Sequence, residues 1–213
     1  MFKVNGTVLE NVKFNGVDLD KVIVNGVIVF EKTPPQENIV TVKTLQDSIT
    51  IRVRTKDLSP CEVWNAGNKI GVLDHDQSKL VSIPNKNEAV IIKGKDITYL
   101  DCSENQLTSL NVQGLTALQE LNCSGNQLTE LNMQGLTALQ ELYCDSNQLM
   151  AQAFKEIFNS LLQTENGKAV VYNDNDNNYK DFTRPPDLVE AFNGAKARGW
   201  RFYKNSVSDS NLI

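Results

Sequence analysis

The sequence predicts a mixed α+β fold: a short solenoid of repeated coils, preceded by a β-sandwich-like domain and an N-terminal β-hairpin module, and closed by a C-terminal α/β cap. Three observations predict it. Cys102, Cys123 and Cys144 stand 21 residues apart within nearly identical segments; Asn-Gly recurs every ten residues in the first 32; and alternating strand-like runs fill residues 39–97. Periods of 20 to 50 residues mark architectures in which no coil buries its apolar face alone and stacked neighbours supply the core.

The first 32 residues carry Asn5-Gly6, Asn15-Gly16 and Asn25-Gly26, separating LENVKF, LDKVIV and VIVF. Asn-Gly is the strongest short hairpin signal because both residues tolerate positive φ. A proline-bearing linker, TPPQEN at 33–38, follows. So small a sheet is marginal alone, which points to docking on its own copies or on a larger scaffold. The motif (V/F)-x-(V/F)-N-G-x-x-(V/L) resembles short modules in structural proteins of tailed phages and prophages of gut bacteria, including Bacteroides.

Residues 39–97 hold IVTVKTL, SITIRVRT, CEVWNAG, KIGVLD, LVSIPN and EAVIIKG, six short strands between turns that predict a small β-sandwich or barrel. The layout resembles the immunoglobulin-like β-domains that precede repeat arrays. The only histidine, His75, lies between Asp74 and Asp76 in a loop and reads as a turn residue, since sequence neighbours on a loop seldom point at one another.

Residues 100–120 read LDCSENQLTSLNVQGLTALQE and residues 121–141 read LNCSGNQLTELNMQGLTALQE, which differ at four of 21 positions; a third copy opens as LYCDSNQLM. The pattern L-x-C-x-x-N-x-L-x-x-L over residues 98–150 resembles the leucine-rich repeat, with Cys at a usually aliphatic position. Gln152 replaces the final leucine of the third copy, so the repeats are expected to end near residue 150. Leu100, Cys102, Leu121, Cys123, Leu142 and Cys144 then alternate inward on three parallel strands. Leu107, Leu110, Leu115, Leu118, Leu128, Leu131, Leu136 and Leu139 fill the rest of the cross-section.

The resemblance implies that Asn105, Asn126 and Asn147 turn inward as a ladder satisfying backbone groups of adjacent coils. The spaced cysteines read as small apolar core residues, because zinc sites favour paired C-x-x-C spacing and four converging ligands. No cofactor and no metal are expected.

Beyond residue 150, AQAFKEIFNSLLQ (151–163) shows helical spacing, AVVY (169–172) reads as a strand, DLVEAFNGAKAR (187–198) as a second helix and GWRFYK (199–204) as a strand. Residues 151–205 resemble the helix-strand caps of bacterial repeat proteins, with 206–213 as a tail. Asp174, Asp176 and Asn178 have the spacing that opens a calcium loop, but Tyr179 replaces its glycine and Pro185 its closing carboxylate, so the segment is expected as a solvated turn.

A net charge of −5 and a pI near 5.0, without a Lys/Arg cluster, argue against nucleic acid as a partner. No apolar run reaches the ~18 residues of a membrane span, and no signal peptide is read at the N-terminus. No activated nucleophile or paired acid and base emerges, so no enzymatic activity is expected.

The expected binding surface is the solvent face of the repeat sheet: Tyr99, Asp101 and Ser103; Glu120, Asn122 and Ser124; Glu141, Tyr143 and Asp145. Tyrosines among carboxylates suit a basic protein patch or a glycan. The reading is a virion-associated structural and recognition protein, made in the host cytoplasm, a head or tail fibre component for host attachment. Residues 1–32 would bind the virion scaffold or their own copies, with a trimer as the expected homo-oligomer. The alternative is a bacterial leucine-rich-repeat adhesin or protein-binding module, in the cytoplasm or at the cell surface.

Overall fold

The computed structural model describes residues 37–213 throughout and, before them, six strands: β1 (Lys3–Val4), β2 (Thr7–Val8), β3 (Val12–Phe14), β4 (Val17–Leu19), β5 (Lys21–Val24) and β6 (Val27–Glu31). Residues 1–36 and 37–213 are two compact units. In the first, β1 pairs with β2, β3 with β4 and β5 with β6, all antiparallel. The innermost pairs are Val4 with Thr7, Phe14 with Val17 and Val24 with Val27, which leaves two residues between strands each time. The Asn-Gly pairs themselves and the segment 32–36 lie outside the described residues.

The second unit is built from two sheets and two helices. β7 (Glu37–Thr44) begins inside the span read as linker; β8 (Ser48–Thr55), β9 (Cys61–Asn65), β10 (Asn68–Leu73), β11 (Lys79–Ser82) and β12 (Val90–Lys95) follow, so all six expected strands form. β13 (Ile97–Asp101) and β14 (Leu107–Asn111) belong to the first repeat, and β15 (Glu120–Asn122) and β16 (Glu141–Tyr143) open the next two. Then come α1 (Ala151–Ser160), β17 (Gly167–Tyr172), α2 (Pro186–Ala197) and β18 (Trp200–Lys204).

One sheet runs β10-β9-β12-β7-β14, and the other β11-β8-β13-β15-β16-β17-β18. Among the described residues there is no closed barrel. The strands on both sides of residue 97 share these sheets: β13 pairs antiparallel with β8, and β14 antiparallel with β7. Alternation explains the packing, since successive side chains of a strand face opposite ways. Val40 and Val42 of β7 and Ile49, Ile51 and Val53 of β8 are all buried in one hydrophobic core that runs on to Phe202.

From β13 onward the second sheet is parallel, with Leu100 beside Leu121, Leu121 beside Leu142, Leu142 beside Ala169 and Ala169 beside Phe202. The expected end of the repeats near residue 150 is therefore not the end of the sheet. β17 and β18 extend it by two strands, with α1 and α2 in place of the extended return limbs. Leu107, Leu110, Leu115, Leu118 and their equivalents Leu128, Leu131, Leu136 and Leu139 are all buried, as are Cys102, Cys123 and Cys144. At about 1.5–3 kcal/mol for each large aliphatic side chain, this column is the main stabilising element of the segment.

Under the helices an aromatic group replaces the leucines. Phe158 lies 4.8 Å from Phe202 and 5.4 Å from Phe182, and Phe182 lies 5.2 Å from Phe192, centroid to centroid. The first two are edge contacts and the third is stacked, arrangements that suit the quadrupoles of the rings. The C-terminal tail is tied back: Leu212 bridges to Tyr203, and the Ile213 N–H donates to the Phe202 carbonyl at 2.9 Å.

Candidate protein-binding face

Each strand of the parallel sheet sends one set of side chains into the core and the other outward. Read across the strands, one outward row is Arg54, Tyr99, Glu120, Glu141, Lys168 and Arg201, and the next is Arg52, Asp101, Asn122 and Tyr143, ending in Val170 and Tyr203, which are both buried. Eight of the nine residues expected on a solvent face are partly exposed; Tyr99 is not. At 8 % exposure it is buried, because the Arg54 guanidinium lies 4.2 Å from its ring centroid and that of Arg52 5.8 Å. Both arginines come from β8, whose antiparallel pairing with β13 places Arg54 opposite Tyr99. Arginine stacks well on aromatic faces, so this row begins with a covered ring rather than a free one.

The arginines are held in turn by Asp76, whose Oδ1 accepts from Arg54 Nε at 2.6 Å and lies 2.9 Å from Arg52 Nη2. That hydrogen bond from Arg54 keeps the Asp76 carboxyl below its ordinary range. His75, beside it, takes a structural role: its Nδ1 accepts the Thr55 N–H at 3.2 Å.

Glu120 and Glu141 stand side by side on neighbouring parallel strands. Arg54 approaches Glu120 to 3.9 Å, and Lys168 approaches Glu141 to 3.1 Å. Burial, followed by the charge of Glu141, raises the pKa of Glu120. Tyr143 donates its hydroxyl proton to Glu141 Oε2 at 2.9 Å; burial and this bond push the phenol well above its usual range. Arg54, Tyr99, Glu120 and Glu141, with Thr98, Gln119 and Gln140, enclose a recess of about 170 Å³.

The third set of expected contacts is engaged locally. Asp101 Oδ1 accepts both the N–H and the hydroxyl of Ser103, at 3.0 and 2.7 Å, and Asn122 Oδ1 does the same for Ser124, at 3.1 and 2.8 Å. These bonds fix the turn after each strand. Asp145, whose pKa is raised by burial, accepts from the Ser146 hydroxyl at 3.1 Å.

Behind the face runs the line of asparagines. Asn126 Oδ1 accepts the N–H groups of Asn105 and Leu107 at 3.1 and 2.8 Å, while its Nδ2 donates to the carbonyls of Cys102, Cys123 and Ser124. Asn147 repeats this one coil on, accepting from Leu128 N and donating to Cys123, Cys144 and Asp145. Asn105 faces the β-domain instead and exchanges bonds with both backbone groups of Thr50, at 2.6 and 2.7 Å.

A fourth rung, Asn178, corrects the solvated turn expected at 174–178. Asn178 is 4 % exposed; it accepts from Leu149 N at 2.8 Å and donates to the carbonyls of Cys144 and Val171 at 2.9 and 2.7 Å. Asp176, another member of that segment, holds the turn by accepting the N–H groups of Ser146, Asn173 and Asn178. Asp174 lies on the outside with Lys204 and Asn205. Among the described residues no cluster of His, Cys, Asp or Glu is placed to hold a metal ion, and no helix is long and apolar enough to cross a membrane.

This geometry, the parallel strands β13, β15, β16, β17 and β18 with polar side chains outward over a leucine and asparagine interior, defines the class of surface. A family model, Leucine Rich Repeat, matches residues 117–139, which span the end of the first coil and most of the second. No curated protein and no solved structure matches the chain. Residues 117–139 are thus a leucine-rich repeat, a unit that suggests protein interaction.

Proposed function

We propose that the chain is a non-enzymatic protein-binding module, in which leucine-rich-repeat coils form a short solenoid between a β-domain and an α/β cap. In this reading a macromolecular partner is held on the outward sheet face. The observation that carries it is the continuity of that face. The row from Arg54 to Arg201 crosses six strands, which at about 4.8 Å spacing gives a surface roughly 24 Å high, against the ~15 Å expected from three coils alone. Such a height suits an interface of ordinary size, with about 800 Å² on each partner. Tyr143, partly exposed between Asn122 and Val170, is the residue best suited to anchor a contact.

In the finer form of the reading, residues 1–32 attach the chain to a larger assembly or to its own copies, and the repeats recognise a protein or glycan. That form makes it a virion-associated protein of a phage of gut bacteria, and the support is the resemblance of its Asn-Gly motif. The family match to a repeat fits a bacterial adhesin or protein-binding module equally well.

Comparative capture with immobilised full-length chain and its Tyr143→Ala variant tests the main reading. A partner retained by the first and lost by the second, with unchanged far-UV circular dichroism, supports the sheet face. Equal retention by both removes it. The solution mass of the full chain beside one lacking residues 1–32, by light scattering, tests the assembly role: an oligomer that becomes a monomer on truncation supports it.

A further inference from the structure

On the side opposite the outward face, the return limbs of the first two coils stack through a defined set of contacts. The Gly114 N–H donates to the Gln134 carbonyl at 3.0 Å, Gln113 Nε2 to Gln134 Oε1 at 3.0 Å, and the Thr137 hydroxyl to the Thr116 carbonyl at 3.1 Å; Asn111 bridges Asn132 in parallel. Coil two presents the same groups on its far side, one repeat later: the Gly135 N–H, Gln134 Nε2 and the Thr137 carbonyl. Among the described residues none of these three has a partner there. In coil two these groups sit on turns that follow the single bridge residue Asn132. The third copy turns into α1 at Ala151, whose N–H groups beyond the first turn bond within the helix and so do not repeat the contacts of a coil. Helices also pack 8–10 Å from their neighbours, about twice the strand spacing.

The mismatch leaves a groove of about 500 Å³, within the size range of ligand sites. Leu131, Met133 and Leu136 contribute to its lining on one side. Glu156, Asn159 and Ser160, at i, i+3 and i+4 along α1, with the exposed Leu162, form the other. Glu130 and Glu156 both lie in it, and among the described residues neither has an ion-pair partner.

We infer that this groove accepts a basic peptide segment of another protein, which seats against coil two in the position a third return limb would take and meets the Gly135 N–H, Gln134 Nε2 and the Thr137 carbonyl. The same carbonyl, amide and hydroxyl contacts that join the first two coils would hold it there. The two carboxylates and the net charge of −5 select a lysine- or arginine-bearing segment and disfavour a second copy of this chain, which would bring its own Glu130 and Glu156. The site is separate from the outward face and does not depend on it.

The probe is a fluorescein-labelled peptide of residues 128–139 carrying Glu130→Lys, because coil two is the native mate of an almost identical coil. Titrated with the full chain and followed by anisotropy, it should bind saturably. Binding should weaken roughly fivefold against the Glu156→Lys variant, as expected for reversing a surface charge contact, and fall further for a peptide that also carries Gln134→Ala and Thr137→Val, which lacks the side-chain groups that join the first two coils. The melting temperature of Glu156→Lys should match that of the unmodified chain, which separates lost binding from lost structure. Absence of saturable binding, or binding indifferent to Glu156→Lys or to the loss of Gln134 and Thr137 from the peptide, overturns the proposal. Equal binding of the peptide that keeps Glu130 overturns it in favour of a second copy.

Discussion

Replacing Asn178 with alanine separates a buried rung from a solvated loop, and its magnitude follows from the bonds it makes. The Leu149 N–H loses its acceptor, and the Val171 carbonyl, at an irregularity in the β17–β18 pairing, loses a donor at 2.7 Å. The Cys144 carbonyl keeps Asn147 Nδ2 at 3.1 Å and is only partly deprived. Two orphaned backbone groups at about 1–3 kcal/mol each, reduced by whatever water enters the space of the lost amide, give ~2–4 kcal/mol. With a urea dependence of roughly 2 kcal/mol/M, the unfolding midpoint followed by circular dichroism should fall by about 1–2 M. Asn175→Ala, three residues away with its side chain exposed, should shift it by less than about 0.5 kcal/mol. Equal midpoints for the two variants would refute the rung.

Asn126→Ala should cost at least as much, about 2–4 kcal/mol, because two N–H groups, of Asn105 and Leu107, depend on its Oδ1; the same urea titration measures it. Burial raises the pKa of all four thiols, Cys61 to about 11 and Cys102, Cys123 and Cys144 well above their ordinary value. A raised folded pKa makes the folded state hold its proton where the unfolded chain releases it near pH 8.5–9, so stability is full below that range and falls as pH rises above it. The initial slope is about 1.4 kcal/mol per pH unit for each thiol, measurable as a declining urea midpoint between pH 8.5 and 10.5. In the same pH range, none of the three repeat cysteines should react with a thiol reagent until denaturant is added. Tyr143→Ala should leave the melting temperature within a few degrees and remove partner capture, since its hydroxyl contact to Glu141 is made on a partly exposed face.

The coils were legible because each lies within a 21-residue window and repeats almost unchanged, so the register of Leu100, Leu121 and Leu142 is written in local spacing. Asn105, Asn126 and Asn147 share that spacing. Asn178 does not: α1 and β17 intervene and place it 31 residues after Asn147, among other polar residues that resemble a loop. The available signal was Leu149, the last residue of the third motif, whose N–H needed an acceptor once the repeat stopped. The burial of Tyr99 depends on Arg52 and Arg54, more than forty residues earlier, and on an antiparallel register that no periodicity records. Likewise β14 reads as part of a coil, while its pairing with β7 makes it the edge of another sheet.

The seven-stranded sheet makes the molecule extensible at its middle. β8 borders the repeat strands on one side and β17 on the other, and between them β13, β15 and β16 sit in identical register at a 21-residue interval. A tandem duplication of residues 121–141 in the coding sequence would insert one further coil without disturbing either terminus, lengthening the face by one strand spacing of about 4.8 Å and adding a rung to the line of asparagines. Two coils that differ at four of 21 positions are what such a duplication leaves behind. The reach of the surface is thus set by copy number, which a lineage can change in whole steps while every buried contact at the two ends stays as it is.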